Sequence, residues 1–170
     1  MVNTRVTYLI PALLFCIAPL SFAQNKQETF NFILEKLSQG LEHQDSDQPL
    51  IKREMALDGC TLKVEEKYFS DSDTTPKMLL SLSYTVPLDK MDPTRVTNVM
   101  GAVTIFATGD EKTIRMIHKD MESGETKTID QYQAVIQADT LYKAERAGRA
   151  FAHLIKLCGG KTEELFSKGP

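Results

Sequence analysis

A chain of 170 residues that is 42% apolar and 25% charged, with a net charge of −3, has the composition of an ordinary globular protein with room for one core. The balance excludes collagenous and disordered classes. Mild acidity also argues against non-specific binding to nucleic acid or to an anionic membrane, which shows as a basic excess.

Residues 1–23 read as a secretory signal peptide, with Arg5 in a short leading region, an apolar run over residues 6–17, Pro19, and Ser21-Phe22-Ala23 before Gln24. A membrane span needs about 20 apolar residues, and this run is too short for one. Cys16 follows bulky Phe15, where lipid attachment needs a small residue. The expected mature chain is residues 24–170, a single globular domain in the periplasm or secreted. Removing the leader takes away Arg5 and Cys16, so the charge moves from −3 to −4 and the three cysteines become two. In an oxidising compartment, Cys60 and Cys158 argue for one disulfide rather than a metal site or a catalytic thiol, the alternative being two reduced, buried thiols.

Phe30, Ile33, Leu34, Leu37 and Leu41 recur at helical spacing, so residues 27–41 read as an amphipathic helix with Asn25 and Glu28 as its cap. Residues 42–49 form a polar linker. From Ile51 the pattern alternates, and Asp58-Gly59 between two alternating runs is a hairpin signal. A turn there pairs Leu57 with Cys60 and Met55 with Leu62, placing both pairs, Ile51 and Val64 on one inward face. Leu80, Leu82, Tyr84 and Val86 mark a half-buried strand closed by Pro87, and residues 88–93 form a connector.

Further strands are expected over 95–100, 102–108, 112–119 and 126–138, the last broken near Asp130, with Gly101 as a bulge. Short turn-rich separators at Gly109-Asp110 and residues 121–125 suit antiparallel neighbours, because parallel strands need long crossovers. Residues 139–158 form the firmest helix. Leu141, Ala144, Ala147, Gly148, Phe151, Leu154, Ile155 and Cys158 make its apolar stripe, with Asp139 as N-cap and Gly159 as left-handed terminator. The fold class is α+β: an antiparallel, curved or barrel-like sheet of about six or seven strands, an N-terminal helix and a packed C-terminal helix. That layout is similar to the pleckstrin-homology arrangement, a likeness of fold that carries no function.

No nucleophile elbow, phosphate loop, dinucleotide fingerprint or HExxH motif is present, which weighs against an enzyme. His43, His118 and His153 are scattered, and Asp45, Asp47, Asp71 and Asp73 lack the glycine and bidentate glutamate of a calcium loop, so neither metal nor cofactor is expected. Arg146, Arg149, His153 and Lys156 line the polar face of the last helix, where they could hold an anion or a partner. A helix must be polar opposite its buried stripe in any case, and solvation alone accounts for them. Phe106 and Leu79, on outward strand positions, hint at a second buried face or a binding surface, and the first helix could simply cover them.

The segments GCTLKV at 59–64, LDKMDP at 88–93 and ERAGRAFAHLIKLCGG at 145–160 together resemble a type of small exported bacterial protein of uncharacterised function. The resemblance covers sheet and final helix, implies a Cys60–Cys158 bridge and a barrel-like or curved sheet, and brings no catalytic residues. The function expected is a non-enzymatic binding or interaction domain with an envelope or secreted protein partner and no membrane span. A carrier of a lipid or other apolar ligand between sheet and helix is the second reading, and an envelope enzyme the third.

Overall fold

The computed structural model describes residues 17–37, 50–70, 77–109, 111–138 and 140–162. Expectations for residues 1–16, Leu41, His43, the linker, the Asp45, Asp47, Asp71 and Asp73 loops, Asp110, Asp139 and the side chain of Ile51 lie outside these residues.

Helix α1 spans Ile17–Leu37 and buries Phe30, Ile33 and Leu37, with Leu34 packed beside them. It begins at Ile17 rather than residue 27 and runs through the expected cleavage position, so Asn25 and Glu28 are interior residues instead of a cap. Thr29 Oγ1 donates to the Asn25 carbonyl at 2.8 Å, the back-bond of a hydroxyl inside a helix.

Among the described residues eight strands follow, against about six or seven expected: β1 (Leu50–Asp58), β2 (Thr61–Phe69), β3 (Met78–Pro87), β4 (Thr97–Val99), β5 (Ala102–Phe106), β6 (Ile114–Asp120), β7 (Thr126–Gln131) and β8 (Gln133–Gln137). All pair antiparallel, as the short connections require. They form a five-stranded sheet, β1-β2-β3-β6-β7, and a three-stranded sheet, β4-β5-β8, rather than one closed barrel. The break expected near Asp130 falls at Tyr132, where one run of chain leaves the first sheet for the second. The Tyr132 carbonyl accepts from Ala107 N at 2.8 Å at that corner.

The β1–β2 hairpin turns on Gly59-Cys60, one residue later than expected, and pairs Leu57 with Leu62 and Met55 with Val64. Gly59 adopts φ 61° and Cys60 does not, the glycine-first form of a two-residue turn. The partners shift by two residues, so the inward face survives and only Cys60 moves, from strand to turn. That face continues across β3, where Leu62 pairs with Val86 and Val64 with Tyr84, all four buried.

Helix α2 (Leu141–Leu157) buries Ala144, Ala147, Gly148, Phe151, Leu154 and Ile155, while Leu141 at its start is exposed. Its N-cap is Thr140, whose Oγ1 accepts from Lys143 N at 3.2 Å. At the other end Gly159, at φ 83°, donates to the Lys156 carbonyl at 3.0 Å and Gly160 to Ile155 at 2.9 Å. These two bonds are a Schellman motif, which satisfies carbonyls the helix would otherwise orphan. Packing against β4 depends on Gly148, because a Cβ there would collide with the Asn98 side chain. With its amide oriented by its neighbours, Asn98 donates to the Ala144 carbonyl at 2.9 Å.

Cys60 and Cys158 form the disulfide, with Cα atoms 5.5 Å apart and a sequence separation of 98. It ties the β1–β2 turn to the end of α2. Both helices and both sheets contribute to one continuous buried cluster.

Candidate interaction surface

The basic residues of α2 do not form one solvated line. Arg149, His153 and Lys156 are exposed, but Arg146 is drawn toward α1, its guanidinium 5.2 Å from the Phe32 ring centre and 5.6 Å from that of Tyr142. Its Nη1 also donates to the Tyr142 hydroxyl at 3.0 Å. Arg146 therefore helps dock one helix on the other through cation–π contacts. Phe106 is flanked by Arg95 and Tyr132 rather than covered by α1.

The outer face of the large sheet carries a shallow depression of about 360 Å³ lined by residues that include Glu54, Lys63, Glu65, Ser83 and Thr85. Acids and hydroxyls gather there, yet no histidine lines it. Lys67 lies 3.4 Å from Glu65 and 3.6 Å from Glu54. The hydrogen bond and charge of Glu65, with Glu54 beyond, hold the Lys67 ammonium above its ordinary range. The depression opens on the side away from the helices, where a ligand between sheet and helix would not lie. Among the described residues, no three His, Cys, Asp or Glu side chains gather as metal ligands would, and no helix is long and apolar enough to cross a membrane.

Beneath this face lies a buried ion pair that the sequence analysis missed. Arg53 and Glu66 face each other across β1 and β2, their side chains 2% and 1% exposed. Arg53 Nε and Nη2 stand 2.7 and 2.6 Å from Glu66 Oε1, and Nη1 donates to the Leu37 carbonyl at 2.9 Å. Tyr68 donates its hydroxyl to Glu66 Oε2 at 2.9 Å. Burial first, then the Glu66 carboxylate, pushes the Tyr68 hydroxyl well above the ordinary tyrosine range, and burial, then Glu66, raises Tyr84 as well. The two charges offset each other, and the Arg53 bond to the Leu37 carbonyl ties α1 to the sheet.

The most unusual surface lies at the β4–β5 turn. Val99 pairs with Ala102 around Met100 and Gly101, at φ 50° and 77°, the two left-handed positions of a type I′ hairpin. Asn-Gly is the favoured pair there. Methionine in this conformation costs roughly 1–2 kcal/mol, from the clash of Cβ with the following carbonyl. Nothing packs over it, since Met100 is 95% exposed. The Gly101 carbonyl accepts from Ala138 N at 2.7 Å, which brings the turn beside the start of α2, where Leu141 and Tyr142 are 56% and 63% exposed. Val99, before Met100 on the same turn, is 57% exposed. The sequence carries Met-Gly between the expected strands 95–100 and 102–108, with Gly101 expected as a bulge; in the structure Met100 and Gly101 form the turn of a hairpin instead.

The chain is thus an α+β protein of two open antiparallel sheets and two packed helices, bridged by one disulfide. No protein family, no curated protein and no solved structure matches it.

Proposed function

We propose that the chain is an exported, non-enzymatic interaction domain whose working surface is the apolar end formed by Val99, Met100, Leu141 and Tyr142. The observation that carries this reading is Met100, a large apolar side chain held fully in solvent on a strained backbone. Surface leucines and valines scattered singly need no explanation. A strained apolar tip next to exposed Val99, on a turn bonded to the segment that leads into α2, does, and strain of this kind concentrates where a protein works. The signal-peptide pattern and the disulfide support placing the domain in the periplasm or outside the cell, where its partner would be an envelope or secreted protein. Arg149 and Lys156, with His153 between them, offer a basic flank on α2 for an acidic partner.

The test is retention of envelope proteins on immobilised wild type and on Met100→Asn, which suits the turn and removes the apolar tip. The reading expects a protein held by the wild type and released by the variant. Identical retention by both would overturn it.

A further inference from the structure

The two sulfurs of the disulfide sit in opposite electrostatic settings. The Lys26 ammonium, on α1, donates to Cys60 Sγ at 3.4 Å. Cys158 caps the C-terminus of α2, its N–H bonded to the Leu154 and Ile155 carbonyls at 3.0 and 3.1 Å, where the helix dipole disfavours negative charge. The other charges nearby do not reverse this contrast: Asp58, beside the turn, is 3.3 Å from Lys63, and Lys156 points to solvent. Both cysteines are half-buried, so neither is sealed in the core.

From this asymmetry we infer that Cys158 is a site of thiol addition: an incoming thiolate attacks Cys158 Sγ and Cys60 departs as a thiolate held by Lys26. One S–S bond forms between the attacking sulfur and Cys158, and the Cys60–Cys158 bond breaks. The electron pair leaves on Cys60, which is reduced to a thiolate, and the incoming sulfur is oxidised to the disulfide level, so the attacking thiolate is itself the reductant. The basis is that exchange runs faster when the departing thiol is the more acidic one, and a neighbouring ammonium makes it so. In reverse, Cys60 is the nucleophile that closes the bridge when the chain is oxidised through a mixed disulfide on Cys158. The co-reactant is a thiolate, either a small monothiol or the reactive cysteine of an exported dithiol oxidoreductase. This inference does not depend on the apolar end being a binding surface.

The experiment treats the folded, oxidised protein with glutathione in the presence of iodoacetamide, which traps the released thiolate, followed by acid quench and peptide mapping. Glutathione on Cys158 with carbamidomethyl on Cys60 should exceed the opposite product by about ten-fold. Lys26→Met should reduce that excess several-fold and Lys26→Arg restore it, each variant being checked for native circular dichroism. A parallel arm replaces glutathione with a reduced CxxC oxidoreductase whose resolving cysteine is changed to serine, and a covalent complex in that arm alone identifies the protein thiol as the source. Addition chiefly at Cys60, or a partition that Lys26→Met leaves unchanged, would overturn the inference.

Discussion

Arg53 illustrates what a side chain can do that its place in the sequence does not announce. In an alternating strand, position 53 falls on the inward face, where an arginine reads as an interruption of the apolar pattern. Folding brings Glu66 opposite it and the end of α1 above it, so the guanidinium is paired on one side and caps a carbonyl on the other. Removing one partner of such a pair leaves the other buried and uncompensated, at a cost of about 3–5 kcal/mol. Arg53→Met should therefore lower stability by that order in urea unfolding. Adding Glu66→Leu to the same chain should recover most of the loss, since well-packed apolar replacements for buried ion pairs are often neutral. Tyr68 gives the same site a pH signature. Its folded-state hydroxyl titrates above the ordinary value while the unfolded one titrates near 10, so its contribution is complete below about pH 10 and is lost as pH rises beyond it. Tyr84 acts in the same direction. Stability measured across pH 9–11 should fall toward the alkaline end, and Tyr68→Phe should flatten that fall.

Among the elements, periodicity made α2 legible almost residue by residue, because a stripe with a glycine terminator leaves little choice. The β1–β2 hairpin was legible in its faces and not in its turn, since a slip of two residues in partners keeps every side chain on the same side. The strand between residues 126 and 138 could be seen to break, but not to serve two sheets, a matter of tertiary pairing. The β4–β5 turn was hidden because a bulge and a Met-Gly turn look alike when neither methionine nor its neighbours favour a turn. This gives a stability prediction opposite in sign to most surface changes. Met100→Asn should raise the stability of the folded protein by about 1 kcal/mol, because asparagine tolerates the left-handed conformation that methionine resists. Thermal unfolding of the two proteins side by side decides it, and an unchanged or lower midpoint would mean that the turn carries no releasable strain.

At the scale of the whole molecule, the disulfide joins residues 98 apart, across most of the chain that folds. That pairing was legible from cysteine arithmetic and compartment, whereas the division into two open sheets was not. Closing a loop of about 100 residues stabilises by roughly 4.7 kcal/mol in the chain-entropy account, an upper guide against total stabilities of about 5–15 kcal/mol. Cys60→Ser, or reduction of the wild type, should lower the melting temperature strongly, with non-reducing peptide mapping of the untreated protein showing residues 60 and 158 in one linked pair. The staple and the buried ion network hold both helices in place, and the Ala138–Gly101 hydrogen bond ties the segment before α2 to the β4–β5 turn. The central claim is that the apolar end meets a partner protein. Its most direct test is a photo-crosslinking amino acid placed at position 100, and in a separate chain at position 63 on the polar outer face, each expressed and irradiated in exporting cells. The account predicts a discrete protein adduct from position 100 and none from position 63; adducts from position 63 alone, or none from position 100, would contradict it.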